Sequence, residues 1–260
     1  MEKDKIYNID CLKGLKQIES GSVDMLFVDL PYGTTRNKWD TIIPPELLWP
    51  EYERIIKPNG AILLFGQDKF TATMMLSNTR LHRYNIIWKK VLPSGFLNAN
   101  RQPLREHEDI MVFYKKQPTY NPQKVKGAKC HSHGKVTGKM RSEHGNNHNY
   151  GDFKVVETEG DMKHPTSVWE FSKPHPSVAI HPTEKSLDLC RYAIRTYSNP
   201  GDLVVDHCCG SGTIPLAAKL EGRHYIGMDN GVCENKDSTY YMRSWTDIAT
   251  ERITAAVSAA

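Results

Sequence analysis

The segment Gly201–Asn230, with the sequence GDLVVDHCCGSGTIPLAAKLEGRHYIGMDN, constrains the possible fold more than any other part of the chain. Its pattern predicts a buried strand, a tight turn containing Gly210 and Gly212, a helix and a second strand. Two strands joined through a helix lie parallel in one sheet, because a short turn cannot connect parallel neighbours. The segment therefore predicts an α/β fold built on a doubly wound parallel sheet.

The amino-terminal part of the chain shows the same alternation of strands and helices. Buried strands are predicted over Val23–Asp29 and Ala61–Gly66, and a third strand over Tyr84–Lys90. One helix is predicted between the first two strands, where apolar residues recur at helical spacing, and another over Lys69–Arg80. Strands that alternate with helices extend the parallel sheet to this part of the chain.

The middle of the chain, from Leu92 to about Ala179, lacks this alternation. It is rich in Pro, Gly, His, Asn and Lys, and it contains one short predicted strand, Ile110–Tyr114. No acidic residue lies between Asp109 and Glu143. The interval is either a solvated polar loop or an insertion that contacts phosphates. Its basic residues include Lys115, Lys116, Lys124, Lys126, Lys129, Lys135, Lys139 and Arg141.

These patterns divide the chain into four parts: residues 1–92, 93–180, 181–235 and 236–260. The third part begins with a predicted helix over His181–Ser198 and continues into the glycine-containing segment. The fourth part is predicted to be a helical tail from Tyr240 onwards, and no function is assigned to it.

The glycine turn predicts a cofactor site at the carboxyl end of its strand. Asp206 ends that strand, and Gly210 and Gly212 allow the backbone to approach a ligand closely. A dinucleotide-binding turn would have a third glycine where this chain has Pro215, so a nicotinamide cofactor is disfavoured. Asp229 ends the next strand about 20 residues further on, where a carboxylate can bind ribose hydroxyls. A nucleoside cofactor without a pyrophosphate fits this pattern, and S-adenosylmethionine is such a cofactor.

Composition bears on the binding partner, on the cellular location and on whether a metal site is expected. The formal charge of +4 is too small to indicate nucleic acid by itself. The chain has no apolar leader and no apolar run long enough for a membrane span, and its six cysteines form no CxxC pair. A reducing, cytoplasmic location is therefore expected. The CHSHG segment with His144 and His148 matches no standard zinc spacing, so no metal site is predicted.

Four motifs in order resemble one enzyme family. DLPYG near the amino terminus, a basic middle region, HPTEKS and DHCCGSGT look like a beta-class amino-methyltransferase of DNA. The catalytic motif precedes the glycine motif, as in that circularly permuted class, and the chain is most similar to adenine-methylating members from phage and restriction-modification systems. The resemblance implies a Rossmann-like, seven-stranded methyltransferase fold that uses S-adenosylmethionine. It also implies that residues 93–180 are an inserted target-recognition region.

The resemblance also implies roles for individual residues. The catalytic tetrapeptide is Asp29, Leu30, Pro31 and Tyr32, in which Leu30 stands where the family usually has proline. Asp10 would lie against the cofactor adenine, although its segment lacks the family's glycine, and Asp229 would bind the ribose. The remaining cofactor contacts would come from the glycine loop, the HPTEK block and the catalytic aspartate: Asp206, Gly210, Ser211, Gly212, Thr213, His181, Lys185 and Asp29.

The catalytic motif suits methylation of an exocyclic amine. Such an amine is a poor nucleophile because its lone pair is delocalised into the base ring. Asp29 and the Leu30 carbonyl can each accept an N–H hydrogen bond and so favour a more tetrahedral nitrogen, a matter of positioning and electrostatics. Tyr32 would stack on a base that has left the duplex, which is worth roughly 1–3 kcal/mol.

The residues leave several functions open. The main prediction is transfer to the N6 amine of adenine in DNA, with the N4 amine of cytosine as the alternative. A DNA-binding module without catalysis is a further alternative. A C5-cytosine mechanism is disfavoured because the chain has no Pro-Cys dipeptide.

The expected partners are DNA, with no membrane, and also a second copy of the chain and a cognate restriction endonuclease. The predicted phosphate contacts are Arg36, Lys38, Lys124, Lys126, Lys129, Lys135, Lys139 and Arg141.

Overall fold

The computed structural model describes residues 1–35, 37, 39–127, 161–175, 179–181 and 183–258, together with the strand backbones of residues 144–147 and 151–154. The chain forms two compact units. The larger unit combines residues 1–121 with residues 167–260, and the smaller unit spans residues 122–166.

Strands and helices alternate along most of the larger unit. In chain order, the strands of the described residues are β1 (Lys5–Asn8), β2 (Val23–Val28), β3 (Ile56–Gly66), β4 (His82–Ser94), β5 (Arg105–Phe113), β6 (Val125–Lys126), β7 (His144–Asn147), β8 (Gly151–Lys154), β9 (Met162–Lys163), β10 (Val168–Glu170), β11 (Leu203–Asp206) and β12 (His224–Asp229). The α-helices are α1 (Cys11–Leu15), α2 (Pro45–Ile55), α3 (Asp68–Ser77), α4 (Leu187–Tyr197), α5 (Thr213–Leu220) and α6 (Trp245–Ser258).

The larger unit is built on one mostly parallel sheet. Its strands lie in the order β1-β12-β11-β2-β3-β5-β4-β10. Every neighbouring pair is parallel except the two pairs that β5 forms with β3 and β4. The predicted α/β Rossmann-like fold is thereby confirmed, with eight strands in this sheet where seven were expected, because β10 adds an edge strand beside β4.

Most of the core lies in two apolar layers, one on each face of the sheet. Successive side chains of a strand point to opposite faces, so Leu26 and Val28 of β2 pack in one layer and Met25 and Phe27 in the other. Helices α2 and α3 cover the first layer, and α4, α5 and α6 cover the second. All four side chains are fully buried, as expected for a strand enclosed on both faces.

The predicted middle region contains strands of the main sheet. β5 begins at Arg105, earlier than the predicted short strand, and pairs with both β3 and β4. β10 pairs with β4. The boundaries therefore differ from the expected 93–180, because only residues 122–166 separate from the larger unit. Within that smaller unit, β6 pairs with β9 and β7 pairs with β8, both antiparallel.

Two predicted helices are shorter in the structure. α4 begins at Leu187 instead of His181, because Ser186 caps it by accepting a hydrogen bond from the Leu189 amide at 3.4 Å. The tail helix α6 covers Trp245–Ser258. No helix in the described part of the chain is long and apolar enough to cross a membrane.

A matched pair of glycine variants separates backbone strain from crowding. Gly212 and Gly222 both have positive φ, +81° and +73°, which an L-residue adopts only with strain. A Cβ on Gly222 would meet no atom within 4 Å, whereas a Cβ on Gly212 would lie 2.7 Å from the Ala249 Cβ. Gly222→Ala is expected to lower the free energy of unfolding by about 1 kcal/mol, and Gly212→Ala by about 2–4 kcal/mol.

Urea unfolding followed by circular dichroism measures both losses. Equal losses for the two variants would show that α6 does not press on the glycine loop.

Candidate active site

The ends of three strands place three carboxylates at one edge of the sheet. Asp29 directly follows β2, and Asp206 and Asp229 are the last residues of β11 and β12. Because these strands are parallel, their carboxyl ends meet at the same edge, where open α/β sheets bind ligands.

A cavity of about 490 Å³ lies at this edge, within the usual range for small-molecule sites. The predicted site residues that line it are Asp10, Asp29, Leu30, Pro31, Tyr32, His181, Lys185, Asp206, Gly210, Ser211, Thr213 and Asp229.

Both carboxylate oxygens of Asp29 are engaged. The Tyr32 hydroxyl donates to one oxygen at 2.8 Å, and the Lys185 ammonium donates to the other at 2.6 Å. Burial raises the pKa of Asp29 above its ordinary value, although the charge of Lys185 opposes that rise. Lys185 therefore favours the ionised form of this carboxylate, which accepts hydrogen bonds, and so opposes the effect of burial.

A second carboxylate shares Lys185. Glu108 Oε2 lies 3.5 Å from Lys185 Nζ, and Glu108 Oε1 lies 3.1 Å from the buried Lys90 ammonium. Burial acts to lower the pKa of Lys185, but Asp29 and Glu108 outweigh it and hold that pKa above its ordinary value. Asp29, Lys185, Glu108 and Lys90 thus form a chain of alternating charge in which the lysines are buried and the carboxylates partly buried.

The antiparallel strand explains how Glu108 reaches the site. β5 runs opposite to β3 and β4, so the start of β5 lies at the edge where β3 ends, and Asp109 is paired with Gly66. Sequence reasoning missed Glu108 and Lys90, because each is only one of several charged residues in its segment. Charged residues are consecutive at the start of β5 and at Lys89 and Lys90 of β4, so no alternation marks the residues that face the site.

The tetrapeptide side chains divide between the core and the cavity. Leu30 is only 4% exposed and packs in the apolar layer beneath α2 and α3. The Tyr32 ring lies 4.8 Å from the Phe70 ring, and the Lys185 ammonium lies 5.6 Å from the Tyr32 ring centre.

The loop after the tetrapeptide is held by one carboxylate. Asp40 accepts hydrogen bonds from the amides of Gly33, Thr34 and Thr35 at 2.8, 2.9 and 2.6 Å. Successive amides converging on one acceptor fix the backbone of the loop. The predicted phosphate contacts of this loop, at positions 36 and 38, lie outside the described residues.

The glycine loop is fastened to the end of the neighbouring strand. Asp229 accepts hydrogen bonds from the amides of Gly210 at 2.9 Å and Gly231 at 2.8 Å. Asp206 accepts from the Cys208 amide at 3.1 Å. Burial raises the pKa of Asp229 and, more strongly, that of Asp206.

Helix α6 holds the HPTEK block in place through Arg252. Glu184 accepts a hydrogen bond from the Ile180 amide at 2.8 Å and pairs with Arg252 of α6 at 2.6 Å. Arg252 also donates to the Thr213 hydroxyl at 3.0 Å. The tail helix, which sequence reasoning left without a role, therefore joins the HPTEK block to the glycine loop.

The predicted basic contacts fall on the smaller unit. Lys124 and Lys126 are exposed there, and Lys126 lies 3.6 Å from Asp161. The other predicted contacts of that unit, at positions 129, 135, 139 and 141, lie outside the described residues, as do the side chains of His144 and His148.

A mostly parallel sheet with a glycine turn and acidic strand ends at one edge is typical of folds that bind nucleoside cofactors. The chain belongs to the N6/N4 DNA methylase family, whose model matches residues 23–232, and it is therefore a DNA methyltransferase.

Two relatives come from bacteria. The chain is 29% identical over 256 residues to the Type II methyltransferase M1.MboII of Moraxella bovis, covering 88% of this chain and 92% of that protein. It is 27% identical over 237 residues to M.HpaI of Haemophilus parainfluenzae, covering 85% of this chain and 68% of the relative.

Solved structures share the fold. The M1.HpyAVI–SAM complex superposes with a TM-score of 0.58 at 22% identity, over 95% of this chain and 98% of that one. The cytosine-N4-specific PvuII DNA methyltransferase gives a TM-score of 0.63 at 15% identity, over 96% and 92%.

The pKa of His181 tests how strongly the site excludes water from this ring. Its ring packs 4.4 Å from the Trp245 ring, and burial, followed by the charge of Lys185, lowers the pKa of His181 from 6.5 to about 4. The folded protein thus keeps His181 neutral down to about pH 4, whereas the unfolded chain binds the proton below pH 6.5. Stability contributed by the neutral ring is present above pH 6.5 and is lost as the pH falls through this window.

Titration of the histidine ring resonances by NMR measures the pKa, and the signal that disappears in His181→Asn identifies the residue. The same variant should remove part of the acid-side loss of stability. A His181 resonance that titrates near pH 6.5 would contradict this assignment.

Proposed function

We propose that this chain transfers a methyl group from S-adenosylmethionine to the N6 amino group of adenine at a specific DNA sequence. The observation that carries the proposal is the partly buried Asp29 carboxylate beside Tyr32, at the sheet edge shared with the glycine loop. The family to which the chain belongs consists of DNA methyltransferases, and their methyl donor is S-adenosylmethionine.

The residues at this edge fit that cofactor. Gly210, at φ +48°, lets the backbone pass close to a ligand, and a Cβ there would lie 3.4 Å from the His181 ring. Each Asp229 oxygen accepts one amide hydrogen bond, which leaves acceptor capacity for ribose hydroxyls. Asp10 would contact the adenine, while His181 and Lys185 would lie beside the methionine end. When bound, the cofactor supplies an electrophilic methyl group.

Asp29 would act as a hydrogen-bond acceptor for the target amine. The amine would donate an N–H to the oxygen that now receives the Tyr32 hydroxyl, while Lys185 holds the other oxygen. A protonated Asp29 would offer a donor where an acceptor is needed. The ammonium of Lys185 therefore serves the reaction by favouring the carboxylate form.

The N4 amine of cytosine is the alternative target, since the same two acceptors can orient either amine. An aspartate at position 29 favours adenine, because relatives that methylate cytosine more often have serine there. An inactive DNA-binding module is disfavoured by the presence of Asp29, Tyr32 and both loop glycines. Recognition of the target sequence is assigned to the smaller unit, and the second copy and partner endonuclease stay predictions.

Transfer of a tritiated methyl group to unmethylated DNA tests the proposal. Label should appear in N6-methyladenine after digestion to nucleosides; label in N4-methylcytosine would instead establish the alternative. Asp29→Ala is expected to lose transfer while binding of S-adenosylhomocysteine largely persists. Asp188→Ala, which removes an exposed carboxylate from α4, serves as the control and should keep full activity. Unchanged turnover in Asp29→Ala would remove Asp29 from the mechanism.

A charge-matched comparison tests the smaller unit. Replacement of Lys124, Lys126 and Lys129 by Gln should weaken DNA binding and flatten its salt dependence by about 0.9 per lost phosphate contact. The control replaces Lys3, Lys16 and Lys69, three exposed residues of the larger unit, and so removes the same total charge. Equal salt slopes for the two triple variants would show that this segment is a solvated loop that does not contact phosphates.

A further inference from the structure

A cluster of soft metal ligands lies in the wall of the cavity. Cys11 is the first residue of α1, and His207 and Cys208 follow β11 directly. One potential ligand atom from each residue lies within 4.8 Å of the other two. All three residues line the cavity, and both cysteines are partly accessible, so the cluster has an entry path.

Strand order brings these residues together from opposite ends of the sequence. β1 pairs with β12, and β12 pairs with β11, so the residues just after β1 and just after β11 lie at the same sheet edge. The pair His207-Cys208 and the distant Cys11 match no standard metal-binding spacing. This separation explains why the sequence pattern alone predicted no metal.

The orientation of His207 suits a ligand. His207 is buried, and its Nε2 lies 2.6 Å from the hydroxyl of Tyr52, which is also buried. Its Nδ1 faces Cys208 Sγ at 3.3 Å. Metal-bound histidines are characteristically held by a hydrogen bond at the nitrogen that does not bind the metal. Tyr52 thus occupies the position of an orienting partner.

We propose that Cys11 Sγ, His207 Nδ1 and Cys208 Sγ bind a thiophilic divalent cation of the zinc type. Tetrahedral zinc requires sulfur and nitrogen ligands about 3.5 Å apart, and the observed 3.3 Å is close to that value. Two thiolates and an imidazole are ligands that this class of cation prefers. Binding replaces the thiol protons with metal–sulfur bonds, so two protons are released for each ion bound.

The fourth coordination position would face the cavity. A loaded site would then occupy space next to Asp10 and the glycine loop, and metal and cofactor would exclude each other. This consequence rests on the proposed cofactor site, whereas the metal site itself does not.

Cobalt(II) titration of the full chain tests the metal site directly. The protein is stripped with a chelator, kept reduced with a phosphine, and titrated with Co²⁺ alone. One equivalent should produce an intense sulfur-to-cobalt charge-transfer band and the visible bands of a tetrahedral ion, and Zn²⁺ should displace it. Absence of the charge-transfer band in folded, reduced protein would overturn the proposal.

Neighbouring cysteines provide the matched control. Cys208→Ala should abolish the charge-transfer band, whereas Cys209→Ala should retain it, because the Cys209 thiol lies 3.9 Å from the Gly210 carbonyl and outside the cluster. Circular dichroism checks the fold of both variants. Tyr52→Phe keeps all three ligands and should weaken Co²⁺ binding by about 10–100-fold. Equal bands in the two alanine variants would overturn the assigned ligand set.

Calorimetry with S-adenosylhomocysteine separates the two proposals. Zn²⁺ should weaken its binding to the wild-type chain but not to Cys208→Ala, provided that this variant still binds the nucleoside. Unaltered binding to zinc-loaded wild type would overturn mutual exclusion. Cobalt binding without any nucleoside binding would overturn the cofactor site and leave the metal site intact.

Discussion

The ion pair between buried Lys185 and partly buried Asp29 is the interaction on which the site depends. At 2.6 Å it joins the strand that carries the tetrapeptide to the block that precedes α4. Two charges in a low-dielectric site are costly to desolvate, and loss of one partner from such a pair typically costs about 3–5 kcal/mol. The chain meets that cost with Glu108 and Lys90, which extend the pair into a neutral series of four groups. The same contacts that stabilise the charges keep Asp29 able to accept a hydrogen bond.

Sheet topology turns distant segments into one site. Parallel strands supply Asp29, Asp206 and Asp229 from their carboxyl ends, while the reversed strand β5 supplies Glu108 from its beginning. A sheet that was parallel throughout would place the start of β5 at the opposite edge. The single reversal is therefore a functional feature of the fold, because it delivers the second carboxylate to Lys185.

The sequence predicted the parts of the site that lie at strand ends. Asp29, Asp206 and Asp229 follow apolar runs with recognisable turns, so local pattern alone places them at a sheet edge. Glu108 and Arg252 could not be found in this way, because their roles depend on pairing and helix packing between residues far apart in the chain. The polar first half of β5 also hid that strand, because the consecutive polar residues Arg105–Asp109 precede its apolar run. Helix α4 was predicted too long because its cap at Ser186 was not recognised.

The pairing of β1 with β12 has a consequence for synthesis of the protein. β1 is synthesised before its partner in the sheet, which follows more than two hundred residues later, between His224 and Asp229. Until then the nascent chain carries an unpaired strand whose backbone groups can bind other strands. The short length of β1, at four residues, limits that hazard. Completion of the sheet edge, and with it the position of Asp10, must await the synthesis of β12.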